Sequence, residues 1–341
     1  MVSAGQLENA LDSFPRIPLG NYPTPIEYLP RLSEQLGREI YIKRDDQIGP
    51  GLGGNKTRKL EYLLADALKR GDRKVVTFGG PQSNHVRITA AAANKIGLEP
   101  HLFFFERKPP AFTGNLLIDE LLGARLHFIP FGGGGKMTLE RSIRLVRTVA
   151  LLRVGPHYFI PVGGHSWLGC LGYVRAAVEL DRQVHEMGIE KTWLICAAGT
   201  GGTLVGLIAG LSILESAIRP LAIDVGRLWL RFPDSIARLA GEICSRVSAN
   251  RSFSPDQVPL IESTYVGERY ATHTPACLAA IRLLATLEGI LLDPIYTAKA
   301  FAGMLDLIQK GNLGRDEPVI FLHTGGLPGV FAFGEEVLGI G

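Results

Sequence analysis

Hydrophobic positions along this chain fall into an alternation of two rhythms. Leu60, Leu63, Leu64, Ala67 and Leu68 recur at i, i+3, i+4, i+7 and i+8, the spacing of one buried helix face. Gly71 closes that helix. Val75 to Phe78 is then a short apolar strand, turned by Gly79-Gly80-Pro81. An alanine-rich helix follows over 83–96, then a strand over 101–105, a helix over 115–122, a strand over 125–129, a helix over 138–152 and a strand over 158–162. A second series opens with a helix over 171–187 and an apolar strand over 193–197. A glycine-rich loop over 199–203 feeds a helix to about 216. Strands over 221–225, 260–266 and 319–323 alternate with helices over 234–247, 275–288 and 297–310. Upstream, 39–43 reads as a strand, while prolines at 15, 18, 23, 25 and 30 mark residues 1–35 as irregular, extended chain. Strands alternating with helices predict an α/β protein of two three-layer domains, each with a mostly parallel sheet covered on both faces, and a cleft between them. The expected smaller domain is 56–168, inserted into a larger one made of 1–55 and 169–341.

Composition narrows the function classes. The 341 residues are 46% hydrophobic and 20% charged, enough for two substantial cores. A net charge of +3, from 36 basic and 33 acidic residues, argues against a nucleic-acid or acidic-membrane surface. Every apolar run is shorter than a membrane span, and residues 1–20 lack the basic-then-apolar pattern of a signal peptide. The expected setting is cytoplasmic. Cys170, Cys196, Cys244 and Cys277 are widely spaced, without a metal or redox pairing, and read as buried free thiols.

Several stretches carry candidate chemistry. Lys56 sits between Gly53-Gly54 and the periodic helix. A lysine so placed can carry an aldehyde cofactor as a Schiff base, provided burial or nearby positive charge keeps its amine neutral. Arg58 and Lys59 are both near enough in sequence to contribute. A solvated first-turn lysine is the plain alternative. Gly199-Thr200-Gly201-Gly202-Thr203 follows an apolar strand and opens a helix, where free N–H groups and the helix dipole favour a phosphate. Leu204 occupies the place of the third glycine of a dinucleotide fingerprint, so that motif is absent. Gly132-Gly133-Gly134-Gly135-Lys136 is not a P-loop either, because Pro130 and Met137 stand where Gly and Ser or Thr are needed, and it reads as a surface loop. Gln82-Ser83-Asn84-His85 lies where a strand gives way to a helix. Ser83 suits a helix cap, and the free amides there also suit a substrate carboxylate, with His85 as a polar neighbour or proton carrier. Tyr296 begins a helix and Thr324 ends a strand, and ligands bind at such strand ends in open α/β sheets.

Taken in order, these blocks resemble one family: the D-cysteine desulfhydrase and 1-aminocyclopropane-1-carboxylate (ACC) deaminase group of fold-type II pyridoxal-phosphate-dependent enzymes, within the tryptophan synthase β-like superfamily. The similarity runs from Thr24-Pro25-Ile26-Glu27-Tyr28-Leu29 through Ile42-Lys43-Arg44-Asp45-Asp46, Gly53 to Tyr62, Gln82 to Arg87 and Gly199 to Thr203, to Leu291 to Tyr296 and Phe321 to Gly326. The resemblance implies pyridoxal 5′-phosphate held in the cleft on Lys56, which also serves as base for the α-proton. It implies Asn84 on the ring hydroxyl, Gly199, Thr200, Gly201, Gly202 and Thr203 on the phosphate, and Thr324 opposite the pyridine nitrogen. Ser83, with Asn84 and His85 beside it, would take the carboxylate of a small amino-acid substrate, and Tyr270 and Tyr296 look like the two active-site tyrosines. A homodimer and no metal are expected. The implied reaction is an α,β-elimination, D-cysteine to pyruvate, sulfide and ammonia. L-Cysteate and ACC are the alternative substrates, and a decayed, non-catalytic phospholigand-binding protein is the distant alternative. Three departures bear on substrate. Thr297 stands where the ring-opening deaminases carry glutamate, Arg269-Tyr270-Ala271-Thr272-His273 replaces the desulfhydrase branch's usual Gly-Tyr-Gly, and Gly164-His165-Ser166-Trp167 replaces its Gly-Ser-Asn.

Overall fold

A computed structural model of the chain describes residues 2–130, 138–262, 264–314 and 316–339. The tetraglycine stretch from Gly132 to Lys136 lies outside the described residues. The helices are α1 (Ala4–Asp12), α2 (Pro30–Leu36), α3 (Lys56–Lys69), α4 (Asn84–Lys95), α5 (Gly114–Leu121), α6 (Leu139–Val154), α7 (Trp167–Glu186), α8 (Gly202–Leu214), α9 (Phe232–Arg246), α10 (Pro275–Glu288), α11 (Thr297–Gln309), α12 (Pro328–Ala332) and α13 (Gly334–Leu338). The strands are β1 (Ile26–Tyr28), β2 (Ile40–Lys43), β3 (Lys74–Gly79), β4 (Glu99–Phe104), β5 (Arg125–Phe128), β6 (Tyr158–Phe159), β7 (Thr192–Ala198), β8 (Ile218–Asp224), β9 (Leu260–Ile261) and β10 (Val319–Leu322).

They form two sheets, ordered β1-β2-β10-β7-β8-β9 and β5-β4-β3-β6. Every recorded pairing is parallel except that of β1 with β2. Strand side chains alternate between faces, and the sequence supplies apolar groups to both. On β7, Leu194, Cys196 and Ala198 enter the core shared with α7, α8 and α9, whereas Ile195 and Ala197 enter the one shared with α10 and α11. On β4, Phe103 packs toward α6 while Leu102 and Phe104 pack toward α4 and α5. Both sheets are therefore sandwiched between helices, as the unbroken apolar strands predict.

The structure corrects the reading of residues 1–35 as irregular. Ser3 and Gln6 form a reciprocal capping box that starts α1. Pro30 occupies the first turn of α2, where its missing N–H costs nothing, so a proline taken as a breaker is a helix start. The strands expected over 260–266 and 158–162 shrink to Leu260–Ile261 and Tyr158–Phe159, and α12 and α13 were not foreseen. No described helix is long and apolar enough to cross a membrane, and all four cysteines are buried and free.

Three helices meet with little space between them. A Cβ on Gly172 of α7 would lie 2.1 Å from the Arg58 carbonyl oxygen on α3, and one on Gly206 of α8 would lie 2.4 Å from the Cys170 carbonyl oxygen on α7. α7 thus sets the distance between the start of α3 and the start of α8. Gly172→Ala places a methyl group against main chain that cannot rotate away. It should destabilise the fold by about 1–3 kcal/mol, read as a lower urea midpoint at unchanged slope.

Candidate active site

The elements that α7 spaces apart bring the candidate residues together at strand C-termini. Lys56 is the first residue of α3. Before it, Gly54 has φ 130, a backbone state few residues other than glycine adopt, and a Cβ there would lie 2.9 Å from the Thr324 carbonyl oxygen just past β10. That carbonyl accepts a 3.0 Å hydrogen bond from the Asn55 N–H. The Asn55 side-chain amide donates to Thr203 Oγ1 at 3.0 Å. The turn that presents the lysine is therefore fastened to both β10 and the loop that opens α8.

Lys56 Nζ donates to Asn55 Oδ1 at 3.1 Å. Part of its side chain stays accessible, but the surrounding protein desolvates its amine and holds its pKa well below the ordinary lysine value, and the positive charge of Lys59 lowers it further. Lys59 is itself buried, which pulls it down to about 8, and it donates to the Gly163 carbonyl at 3.2 Å. Arg58 behaves differently. Its Nε and Nη2 reach the two Asp45 oxygens at 2.8 Å, and its Nη1 reaches Glu179 at 2.9 Å. With its charge neutralised in that buried cluster, Arg58 is not among the groups that depress Lys56. Sequence proximity offered both residues; the structure assigns the effect to Lys59.

The loop from Gly199 to Thr203 leads into α8, whose N-cap, Gly201, has no side chain to satisfy the first N–H groups. A Cβ on Gly202 would approach Lys59 Nζ to 2.8 Å and His165 Nδ1 to 3.4 Å. His165 Nδ1 is buried and has no partner. Free amides, a lysine amine and an orphaned imidazole nitrogen around one hollow fit a phosphate group. The pyridoxal-phosphate site expected here is consistent with these residues. Lys59 was not among the residues predicted for it, although its place one helical turn beyond Lys56 was a signal. Trp229 Nε1 donates to the Thr200 carbonyl at 3.3 Å, and His165 Nε2 pairs with Ser235 Oγ at 3.1 Å. Residues 229–235, which no motif marked, thus brace the loop.

Ser83 caps α4, and its Oγ accepts from the Val86 N–H at 3.4 Å. Asn84 Oδ1 accepts from Asn115 Nδ2 at 3.0 Å and Arg87 Nη2 at 3.4 Å. His85 is turned inward: Nε2 pairs with Thr77 Oγ1 at 2.8 Å and Nδ1 has no partner. Burial, then Lys56 and Lys59, hold its pKa well below the usual histidine value, so it stays uncharged. The Tyr270 and Tyr296 hydroxyls are hydrogen-bonded to each other with rings 6.1 Å apart, and burial raises both phenol pKa values. Asp293 fixes the start of α11 by accepting from the N–H groups of Ile295, Tyr296 and Thr297 at 3.0, 2.9 and 2.9 Å.

The link between the lysines is testable. Lys59→Met removes a positive charge beside Lys56, so Lys56 should hold its proton to higher pH. Reagent labelling of the Lys56 amine, followed peptide by peptide in a mass spectrometer, should then need a higher pH than in the unaltered chain. An unchanged profile would show that burial alone sets it.

Comparison with known proteins agrees with this geometry. A family model described as pyridoxal-phosphate dependent enzyme matches residues 17–325. A Pyrococcus abyssi protein provisionally named 1-aminocyclopropane-1-carboxylate deaminase is 39% identical over 336 residues, covering 98% of each chain. A Salmonella newport D-cysteine desulfhydrase is 38% identical over 338 residues, covering 96% of this chain and 98% of its own. A solved structure of an ACC deaminase homologue superposes with TM-score 0.87 at 39% identity, over 98% of this chain and 99% of that one. A tomato (Solanum lycopersicum) threonine deaminase, TM-score 0.66 over 99% of this chain and 88% of its own, shares the fold at 15% identity. This chain belongs to the family of pyridoxal-phosphate-dependent enzymes, as a fold-type II lyase similar to proteins named ACC deaminase and D-cysteine desulfhydrase.

Proposed function

We propose that the protein catalyses α,β-elimination on a small β-substituted amino acid, with D-cysteine as substrate. D-Cysteine and one water become pyruvate, hydrogen sulfide and ammonia: the Cα–H and Cβ–S bonds break, and water replaces the amine. The observation that carries this choice is Thr297. Its side chain is fully buried, donates to Asp293 Oδ1 at 2.7 Å and accepts from the Asp293 N–H at 2.8 Å. Its hydroxyl is spent on Asp293, which caps α11, and it stands directly after Tyr296, where the ring-opening deaminases resembled by the sequence carry glutamate.

The other residues suit elimination. Pyridoxal phosphate, when bound, supplies the electron sink. A depressed pKa makes the Lys56 amine a competent base for the α-proton. Raised pKa values keep Tyr270 and Tyr296 protonated, so the pair can give a proton to a departing sulfide. Ser83 and the free N–H groups opening α4 suit a carboxylate. Asn84 and Thr324 are the groups proposed to meet the cofactor ring's oxygen and nitrogen. In this reading 56–168 forms a smaller lobe against 1–55 and 169–341, and the enzyme works as a cytoplasmic homodimer, in keeping with its unpaired thiols. ACC deamination to 2-oxobutyrate is the second reading, favoured by the names of the Pyrococcus relatives and the structural homologue. L-Cysteate is a further candidate.

Borohydride reduction of the holoenzyme should leave a pyridoxyl group on the peptide containing Lys56, and Lys56→Ala should abolish it along with elimination activity, a loss of at least about a thousandfold. Product release from D- and L-cysteine, L-cysteate, D-serine and ACC then decides the substrate. Pyruvate from D-cysteine is expected, and 2-oxobutyrate from ACC as the main product would replace this reading with the second. Absence of any adduct would reject the mechanism.

A further inference from the structure

One buried cation meets the side-chain oxygens of two amides. Arg87 is fully buried on α4, and its guanidinium has only donors to offer. Nε donates to Asn115 Oδ1, and Nη2 donates to the Gly53 carbonyl at 3.3 Å and to Asn84 Oδ1 at 3.4 Å. The Asn115 amide is thereby forced to point its oxygen at Arg87. Its Nδ2 then donates to the Gln82 carbonyl at 2.9 Å and to Asn84 Oδ1 at 3.0 Å. Asn84 consequently has its oxygen engaged by two donors. Reversing either amide would set donor against donor, so the orientation follows from chemistry. Among the described residues the Asn84 Nδ2 group has no protein partner, and Asn84 is the partly exposed member of the set.

We propose that Arg87 and Asn115 are positioning residues that fix Asn84 as a hydrogen-bond donor to the cofactor ring's oxygen, while the Arg87 contact with Gly53 keeps that donor in register with the turn bearing Lys56. The inference rests on the pyridoxal-phosphate reading above. The surroundings are consistent with a deliberate cation. Asp119 on α5, whose charge acts on Arg87, is buried, and among the described residues neither of its oxygens has a hydrogen-bond partner. The Arg87 Nη1 nitrogen is unpartnered too. Among the described residues no ion pair with a carboxylate takes up the donors of Arg87, which meet the two amides and the Gly53 carbonyl. A donor at the ring oxygen withdraws charge from the bound cofactor and lowers the pH at which the cofactor's visible band changes.

Asn115→Asp isolates the claim. It keeps an oxygen for Arg87 Nε and the shape of the side chain, but replaces the donor to Asn84 with an acceptor. In the holoenzyme, the midpoint of the visible-band pH titration should rise by about one unit, and pyridoxal phosphate should dissociate about tenfold more readily. Arg87→Met should shift the midpoint the same way, and Arg87→Lys, which keeps a donor-only cation, should shift it less. A purely structural role would lower the melting temperatures of these variants and leave the midpoint where it was. Unmoved midpoints in Asn115→Asp and Arg87→Met overturn the inference. An unaltered chain that takes up no pyridoxal phosphate overturns the cofactor reading itself, and this inference with it.

Discussion

The site depends on how closely α3 and α8 approach α7. Helices normally pack 8–10 Å apart, and glycines at the contact let backbones come nearer. At Gly172 the carbonyl of Arg58 occupies the space a side chain would fill, and at Gly206 the carbonyl of Cys170 does the same on the opposite side of α7. Lys56 and Lys59 lie at the start of α3, and the uncapped amides lie at the start of α8. The spacing between those lysines and those amides is therefore a property of helix packing. Chemistry that needs geometry good to a fraction of an ångström is better served by such rigid elements.

The same crowding produces the electrostatics. Two lysine amines drawn out of water near each other cannot both hold protons at ordinary cost, because each unit of pKa displacement corresponds to about 1.4 kcal/mol. Relief comes by deprotonation: desolvation lowers both amines, and the charge of Lys59 lowers Lys56 further. Arg58, one position before Lys59, shows what a paired cation does instead. Asp45 and Glu179 surround it, Lys43 and Tyr173 add contacts to those carboxylates, and its pKa is driven up. Adjacent positions on one helix thus serve opposite ends. One face of α3 stores a permanently charged, neutralised cluster that anchors the helix. The other offers an amine that can be neutral.

Much of this was legible in the chain. Apolar strands separated by periodic helices gave the two mostly parallel sheets, and the seams that carry Lys56, Ser83 and Gly199 are tied to one another by the Asn55–Thr203 and Arg87–Gly53 hydrogen bonds. Other features had no local signature. Pro30 looks like a breaker and starts a helix, because a proline's effect depends on whether it falls in the first turn or later. Residues 260–266 held enough β-branched and aromatic character to suggest a longer strand. The chain leaves the sheet after Ile261 and turns, bringing Tyr270 to Tyr296. Lys59, His165, Trp229 and Ser235 converge on the loop that opens α8 from three separate segments, and only the folded chain shows that.

Substrate preference remains the part of the function furthest from the fold, and physics explains why. Cofactor, base and carboxylate cradle serve any α-amino acid, so the groups that hold them are common to elimination and ring opening. The distinction lies in what can donate or accept a proton beyond Cα. Here the two phenols are hydrogen-bonded to one another in a buried setting that keeps both protonated, and the neighbouring Thr297 hydroxyl is already committed to Asp293. Such an arrangement offers protons, and the negative charge of Asp293, felt by both phenols, helps to keep them on. A leaving sulfide needs a proton or must depart as an anion, whereas opening a cyclopropane calls for a base and an acid placed on opposite sides of a carbon–carbon bond. The proposal that a β-substituent departs therefore rests on what those two protonated phenols can give.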